Sequence, residues 1–426
     1  MHSFDMKQRT VICGAGIAGI ATAYYLSVTL GRKNIVLIDK LLPMSLTTSK
    51  SGENYRDYWP QACMADLSGH SISLMEKLIQ LHGDVFDMRE SGYQFVSRFL
   101  GEDIFSEADR KTDSAIKYCK DQSIIRQQHA YLSESIRQLV TISRAGAIDV
   151  YALGTLLLRE ARAAGVILMQ AEVTGLSSPA ENMFEVNFHA SHCLAPMPCE
   201  QLVLCAGPFN QALAKWLDVD LPLISIPQRK FVIPDPLGII ATDMPFTICA
   251  DPITLNWNEE ETQMLSADPT YRWLLEELPP GLHIKPESKD HIKLGWAFNR
   301  HAEQPEWEIP DDIEFPDIVI RGASHFIPGL RPYVDVMPTP LVQFSGYYTR
   351  TEENLPLIGP LEIPGLYTVA GLSGFGTMTG CAAGELCALH MEHEELPSYA
   401  RHFHPDRYTD AEIMLEINAS NSDGQL

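Results

Sequence analysis

The stretch Thr10-Val11-Ile12-Cys13-Gly14-Ala15-Gly16-Ile17-Ala18-Gly19, read with the residues up to Lys40, decides the fold. Thr10 to Cys13 is a short apolar run, and three glycines follow in the order G-x-G-x-x-G. Ile20 to Leu30 has helical character, and a second apolar run, Asn34-Ile35-Val36-Leu37-Ile38, ends on Asp39. Strand, glycine turn, helix and strand within about 30 residues make a βαβ unit; without that context the glycines are only a tight turn. Gly14 permits the turn, Gly16 lets the backbone approach a pyrophosphate, and Gly19 brings the helix against the strand. Ile17 and Ala18 open the helix, whose unpaired N–H groups and partial positive charge suit a phosphate. Asp39 stands 20 residues after Gly19, followed by Lys40. A carboxylate at that place accepts ribose hydroxyls and repels a 2′-phosphate. The unit predicts an ADP-containing ligand and disfavours NADP.

Further elements of the same kind recur downstream. Ile148 to Ala164 has Leu153, Leu156, Leu157 and Ala161 at helical spacing, Gly165 ends it, and Val166 to Met169 reads as a strand. Phe184 to Phe188 alternates as a strand does, and Gln201 to Cys205 is an apolar run stopped at Ala206-Gly207. Near the end, Gly365 to Ala370 runs into a glycine-rich turn at Gly371 and then a helical stretch, Gly380 to Glu392. The expected fold class is therefore α/β (α+β overall): a Rossmann-like nucleotide-binding domain with an inserted, mainly antiparallel β-sheet substrate domain. The first domain takes 1–85, 145–215 and 336–400, the cap takes 86–144 and 216–335, and 401–426 is a polar tail expected to fray from Asp406.

Composition bounds the reading without refining it. The 426 residues suggest two or three domains, and 45% apolar with 20% charged residues is ordinary for a globular protein. No stretch has the ~18 uninterrupted apolar residues of a membrane helix, and Met1 to Thr10 lacks the apolar segment of a secretion signal. A formal charge of −23 argues against nucleic acid or an anionic membrane as partner. The nine cysteines form no C-x-x-C pair, and the even spacing of Cys193, Cys199 and Cys205 fits no zinc pattern. Reduced thiols, a cytoplasmic location and no metal are expected.

The βαβ unit alone does not choose between FAD and NAD, since both carry ADP. Two further segments do. Leu46-Thr47-Thr48-Ser49-Lys50-Ser51-Gly52-Glu53-Asn54-Tyr55-Arg56 is rich in hydroxyls and small residues and suits a loop against a pyrophosphate and an isoalloxazine ring. Gly371-Leu372-Ser373-Gly374-Phe375-Gly376-Thr377 opens a helix and would direct N–H groups at an anionic part of a flavin.

With these segments the sequence resembles the FAD-dependent amine and amino-acid oxidoreductases of the D-amino-acid oxidase superfamily, in the branch of sarcosine oxidase, glycine oxidase and dimethylglycine dehydrogenase. Leu46 to Arg56 is similar to the family's flavin loop, and Gly146 through Val173 to the helix and strand that end on the valine beside adenine. Leu204-Cys205-Ala206-Gly207 resembles its A-A-G turn. Phe326 to Leu330, Phe344 to Thr351 (with Gly346) and Leu355 to Pro360 resemble its C-terminal signature, and Gly371 to Gly376 its final glycine cluster. The resemblance implies oxidation of a C–N bond by hydride transfer to flavin N5, with O₂ or another acceptor taking the electrons. It implies Arg56 for a substrate carboxylate and Lys293, in Ile292-Lys293-Leu294-Gly295-Trp296, for the reaction with O₂. An ion pair and an exposed strand lysine are the respective alternatives. Of Tyr347 and Tyr348, one is expected to face the substrate; Tyr348 is taken as catalytic.

Departures from the pattern limit what the resemblance implies about substrate. Ala297 replaces an active-site histidine, Met378 a second carboxylate-binding cation, and Gly346 the cysteine that attaches flavin covalently. Non-covalent FAD follows, with a small-molecule amine or amino acid as substrate. Oxidation of a larger metabolite, or a non-catalytic flavin-binding partner, are the alternatives. Glu53 stands where a small residue is expected and could face an ammonium, a hydroxyl or solvent. Tyr55, Tyr58 and Trp59 are read as core packing or a pocket wall. His390, His393, His402 and His404 are read as exposed histidines, and Asn258-Glu259-Glu260-Glu261 as a solvated loop.

Overall fold

Thr10–Cys13 is buried on both faces, the pattern of a strand inside a parallel sheet covered by helices. The computed structural model describes residues 9–100, 104, 116–190 and 196–419. In it Thr10–Cys13 lies between Ile35–Asp39 and Gln201–Leu204. The six-stranded sheet runs Leu357–Pro360, Leu366–Ala370, Gln201–Leu204, Thr10–Cys13, Ile35–Asp39, Ile167–Gln170. Every neighbouring pair is parallel except the first. The helices Ile17–Tyr24, Ala62–His82, Val150–Ala163 and Gly376–Glu392 share one core on one face of this sheet. The antiparallel strands Glu172–Ala180, Met183–His189 and Met197–Cys199 pack on the other.

Two of those helices approach each other along small residues. A Cβ on Gly384 would lie 2.6 Å from the backbone of Ala21, and one on Gly380 would lie 2.9 Å from Ile17. Backbones can come that close only without side chains between them. The seam holds the N-termini of Ile17–Tyr24 and Gly376–Glu392 beside the same space.

An eight-stranded sheet runs Val342–Arg350, Ile224–Pro234, His291–Gly295, Leu282–Ser288, Phe246–Cys249, Tyr93–Ser97, Gln138–Ile142, Ile116–Cys119. Its pairs are antiparallel apart from Phe246–Cys249 with Tyr93–Ser97. Side chains alternate across it. Phe231, Ile233, Ile284, Ile292 and Leu294 pack against the helix Phe315–Ala323. Lys230, His283, Lys285 and Lys293 occupy the alternate positions. The short pair Asn54–Arg56 and Ala145–Ala147 stands apart from both sheets. The mixed architecture expected from the sequence is the one observed.

Several local expectations are corrected. Val342–Arg350 pairs along Ile224–Pro234, so it belongs to the eight-stranded sheet and not with the nucleotide-binding segments. Asn258 caps the helix Glu259–Ala267 in a capping box with Glu261, so the acidic stretch starts a helix instead of forming a loop. The C-terminus is ordered well past Asp406: Pro405–Thr409 and Ala411–Asn418 are helical, and Arg407, Ile413 and Ile417 are buried. His390 is partly buried against His404, at 5.4 Å between rings, because its helix packs on the chain end. The eight cysteines described are all free thiols, while Cys193 lies outside the described residues. Among the described residues no helix is long and apolar enough to cross a membrane, and no cluster could hold a metal.

Candidate functional site

At Gly14 the backbone adopts φ +107°, and a Cβ there would lie 2.3 Å from the Cys205 carbonyl oxygen. At Gly19 a Cβ would lie 1.9 Å from the Gly14 oxygen. Only glycine fits either place, so the turn closes tightly against the end of the strand Gln201–Leu204. Asp39 fixes the turn from the neighbouring strand: Ala15 N donates to it at 2.6 Å and Leu41 N at 2.8 Å. Burial raises the Asp39 pKa, and the two N–H donors oppose that shift. Thr48 Oγ1 accepts from Ile17 N at 3.2 Å, which ties the hydroxyl-rich loop to the helix N-terminus.

These elements surround a cavity of about 320 Å³. Its walls include Gly14, Gly16, Ile17 and Ala18 of the glycine turn, with Asp39 and Lys40 of the next strand. Thr48, Lys50 and Ser51 of the loop, then Val173, Ala206 and Gly207, continue the lining. Gly346 and Tyr348 come from the eight-stranded sheet, and Gly371, Ser373, Gly374, Gly376 and Thr377 close the far side. The N-termini of two helices therefore meet the same cavity. Gly19 and Ser49 do not line it: Gly19 is consumed by packing, and the Ser49 hydroxyl donates to Ser45 O and Leu46 O within its own turn.

Buried hydroxyls on this cavity lack protein partners. Thr47 Oγ1 and Ser373 Oγ, both in its wall, have none among the described residues. Ser373 also holds φ +49°, a left-handed conformation that costs a non-glycine residue about 1–2 kcal/mol. Orphaned hydroxyls and a strained serine around a cavity are what a polar ligand would complete.

A second cavity of about 100 Å³ shares Ser51, Lys230, Tyr348 and Gly374 with the first. Arg56, at the end of Asn54–Arg56, is 4% exposed and lines it. Its guanidinium lies 4.4 Å from the Trp59 ring and 5.6 Å from the Tyr93 ring. Burial lowers its pKa to about 10, which leaves it charged at neutral pH. Lys230 is 6% exposed, and its Nζ donates to the Tyr348 hydroxyl at 3.1 Å. His283 lines the same wall, its ring nitrogen Nδ1 at 2.9 Å from Gly281 O. Burial and then the Lys230 charge lower its pKa to about 3, so the ring is neutral. Ala297 and Met378 also line this cavity. No carboxylate is among the described residues of its wall.

Lys293 reaches neither cavity. Its Nζ lies 2.6 Å from Glu287 and 3.5 Å from Glu53. Glu53 thus faces an ammonium, and two carboxylates engage Lys293, for which the resemblance implies a place beside the ligand. Val232 is the residue opposite Lys293, whereas Lys230 lies opposite Gly295, its Cε 3.8 Å from where a Cβ on Gly52 would stand. Lys285 is engaged as well, donating to Gly52 O at 2.7 Å.

Lys230 and His283 were not singled out from the sequence. The signal was present: each interrupts an apolar strand at an alternate position, Lys230 before Phe231-Val232-Ile233 and His283 between Leu282 and Ile284. Which alternate position meets a cavity is decided by neighbouring strands. Tyr58 is packed in the core, while Trp59 lines the second cavity.

The structure is similar to the L-proline dehydrogenase from P. horikoshii, with TM-score 0.72 and 19% identity, covering 95% of this chain and 98% of that one. It is similar to the glycine oxidase from Geobacillus kaustophilus at TM-score 0.69 and 16% identity, covering 91% and 95%. The iminodiacetate oxidase from Chelativorans sp. BNC1 gives TM-score 0.69 and 17% identity over 93% and 99%. At such identities the likeness is one of fold. No curated protein matches the chain in sequence. The profile of the family described as FAD dependent oxidoreductase (DAO) matches residues 9–389, and with nearly the whole length covered the chain belongs to that family.

Proposed function

We infer that this FAD-dependent oxidoreductase oxidises the C–N bond of a small amine or amino acid to an imine, which water then hydrolyses. One observation carries the reading: Arg56 and Lys230 both line the cavity adjoining the nucleotide site, and no carboxylate is among the described residues of its wall. Two buried cations in a low-dielectric wall favour an anionic ligand, and a guanidinium suits a carboxylate. The small volume of that cavity, about 100 Å³, favours a small amino acid over a larger metabolite. Proline, glycine and iminodiacetate, named for three proteins of like fold, are all amines bearing a carboxylate.

The first cavity fits FAD on its own evidence. Gly14 and Gly16 with the following helix would hold the pyrophosphate, Asp39 the ribose, and Thr47, Ser373 and Thr377 the hydroxyl-bearing remainder. When bound, FAD supplies the acceptor for hydride from carbon. Gly346, lacking any nucleophile, supports non-covalent attachment. O₂ or another carrier is the final acceptor in this reading. The protein's own residues bind the carboxylate, orient the amine and exclude water.

The test is anaerobic. Holoenzyme is mixed with a panel of small amino acids and N-substituted glycines, and with hydroxy acids as a control. Loss of the flavin absorbance with amines alone supports the reading. Bleaching by hydroxy acids alone, or by none, overturns it.

A further inference from the structure

We propose that His283 is the group that takes the proton from the substrate's amino nitrogen while Arg56 and Lys230 hold its carboxylate. This rests on the amine-oxidation reading above and names the residue that makes the nitrogen lone pair available.

The tautomer is fixed by geometry. A backbone carbonyl only accepts, so at 2.9 Å from Gly281 O the Nδ1 atom must carry the hydrogen. In the neutral ring Nε2 is then the unprotonated acceptor. Its place is reserved by the adjacent strand: a Cβ on Gly295 would lie 2.5 Å from Nε2 and 2.9 Å from Lys230 Cγ. Gly295 therefore makes room for both side chains. The Phe246 ring, 5.1 Å away, flanks the imidazole.

The charge pattern points the same way. Lys230 and Arg56 attract the carboxylate of an amino acid and repel its ammonium. The ring stays neutral in the cavity because burial and Lys230 lower its pKa to about 3. A bound carboxylate offsets the Lys230 and Lys285 charges, which lower that pKa after burial does, and so raises the proton affinity of the ring. The step balances: an N–H bond of the ammonium breaks, an Nε2–H bond forms, and the electron pair stays on nitrogen. The lone pair left on nitrogen is then free to form the C=N bond, for which bound FAD would supply the hydride acceptor.

The experiment uses FAD-loaded protein carrying His283→Phe or His283→Ala. Acetate, a carboxylate without an amine, is titrated by flavin absorbance to report the anion site. Anaerobic flavin reduction is followed with glycine, N-methylglycine, L-proline and L-alanine. Expected is an acetate Kd within about twofold of wild type, with reduction slowed about 100-fold, the usual scale of general-base catalysis. Added imidazole should restore much of the rate in His283→Ala, where the ring's space is open, but not in His283→Phe. Unchanged reduction in both variants, or a loss that imidazole fails to restore while acetate still binds, overturns the role of His283. If no amine bleaches the wild-type flavin, the amine reading itself fails and the role of His283 fails with it. Bleaching without dependence on His283 removes only the latter.

Discussion

Lys230 donates to the Tyr348 hydroxyl at 3.1 Å, and the Tyr348 ring fills the space a side chain at Gly374 would need. A Cβ on Gly374 would stand 2.6 Å from Cζ of that ring. The eight-stranded sheet and the final glycine cluster are thereby fitted to each other at the joint between the two cavities.

Gly374→Ala should push Tyr348 aside and break its contact with Lys230. Overpacking of this kind costs about 1–3 kcal/mol. Flavin reduction is expected to slow about tenfold or more. Thermal unfolding and anaerobic reduction measured together check both parts, and wild-type values in each would show that the ring moves freely.

Arg56→Met should lower kcat/KM for the best amine substrate by about 100-fold, since truncating one member of a buried charge pair costs about 2–5 kcal/mol. Arg56→Lys restores only part of this, because an ammonium lacks the guanidinium fork. Steady-state kinetics with FAD content determined in parallel separates substrate binding from cofactor loss.

Asp39→Ala removes the acceptor for Ala15 N and Leu41 N at the glycine turn. Hydrogen bonds to a charged group contribute about 1.5–3 kcal/mol. The FAD Kd should rise about tenfold to a hundredfold, read by fluorescence during reconstitution of the apoprotein. An unchanged Kd would limit Asp39 to a structural part.

Trp307 lines the first cavity, stacked 4.2 Å from Phe209 with Lys40 Nζ 4.3 Å from its ring. It bridges an inserted loop to the nucleotide-binding strands. Trp307→Ala should speed FAD release severalfold, given about 0.5–1.5 kcal/mol for an aromatic pair. Dilution of holoenzyme with fluorescence detection of free FAD measures it, and equal release rates would refute it.

The buried histidines set a pH dependence of stability. Burial lowers the His390 pKa to about 4 and that of His283 to about 3, against about 6.5 in the unfolded chain. Below pH 6.5 the unfolded chain takes up protons that the folded chain refuses, so stability falls as the pH drops towards 4. It levels off for these groups below their folded values. Urea unfolding of wild type and His390→Gln across pH 4–7 should show a shallower decline in the variant.

Much of the candidate cofactor site was legible because it is local. The glycine turn, the hydroxyl-rich loop and the cluster at Gly371–Gly376 each place backbone at a fixed offset from a strand or helix, and all three meet one cavity. Gly19 and Ser49 depart from that lining because one is spent on helix packing and the other on its own turn. The substrate side was much less legible. Lys293 and Lys230 sit at equivalent alternate positions of neighbouring strands, and although Glu287 lies six residues before Lys293, only the hairpin register and the distant Glu53 decide that carboxylates capture Lys293.

By itself the sequence determined the βαβ unit, the mixed architecture and the kinship to FAD-dependent oxidoreductases, because hydrophobic period, glycine spacing and turn chemistry act over a few residues. Tertiary structure alone decided that Val342–Arg350 joins the eight-stranded sheet, that Lys293 is paired with Glu287 and Glu53, and that Lys230 and His283 meet Arg56. Those outcomes depend on strand register and, apart from the Lys293–Glu287 pair within one hairpin, on contacts between residues more than a hundred positions apart. A period of two in a strand fixes which side chains share a face, but only the neighbouring strands fix which of them reaches the cavity.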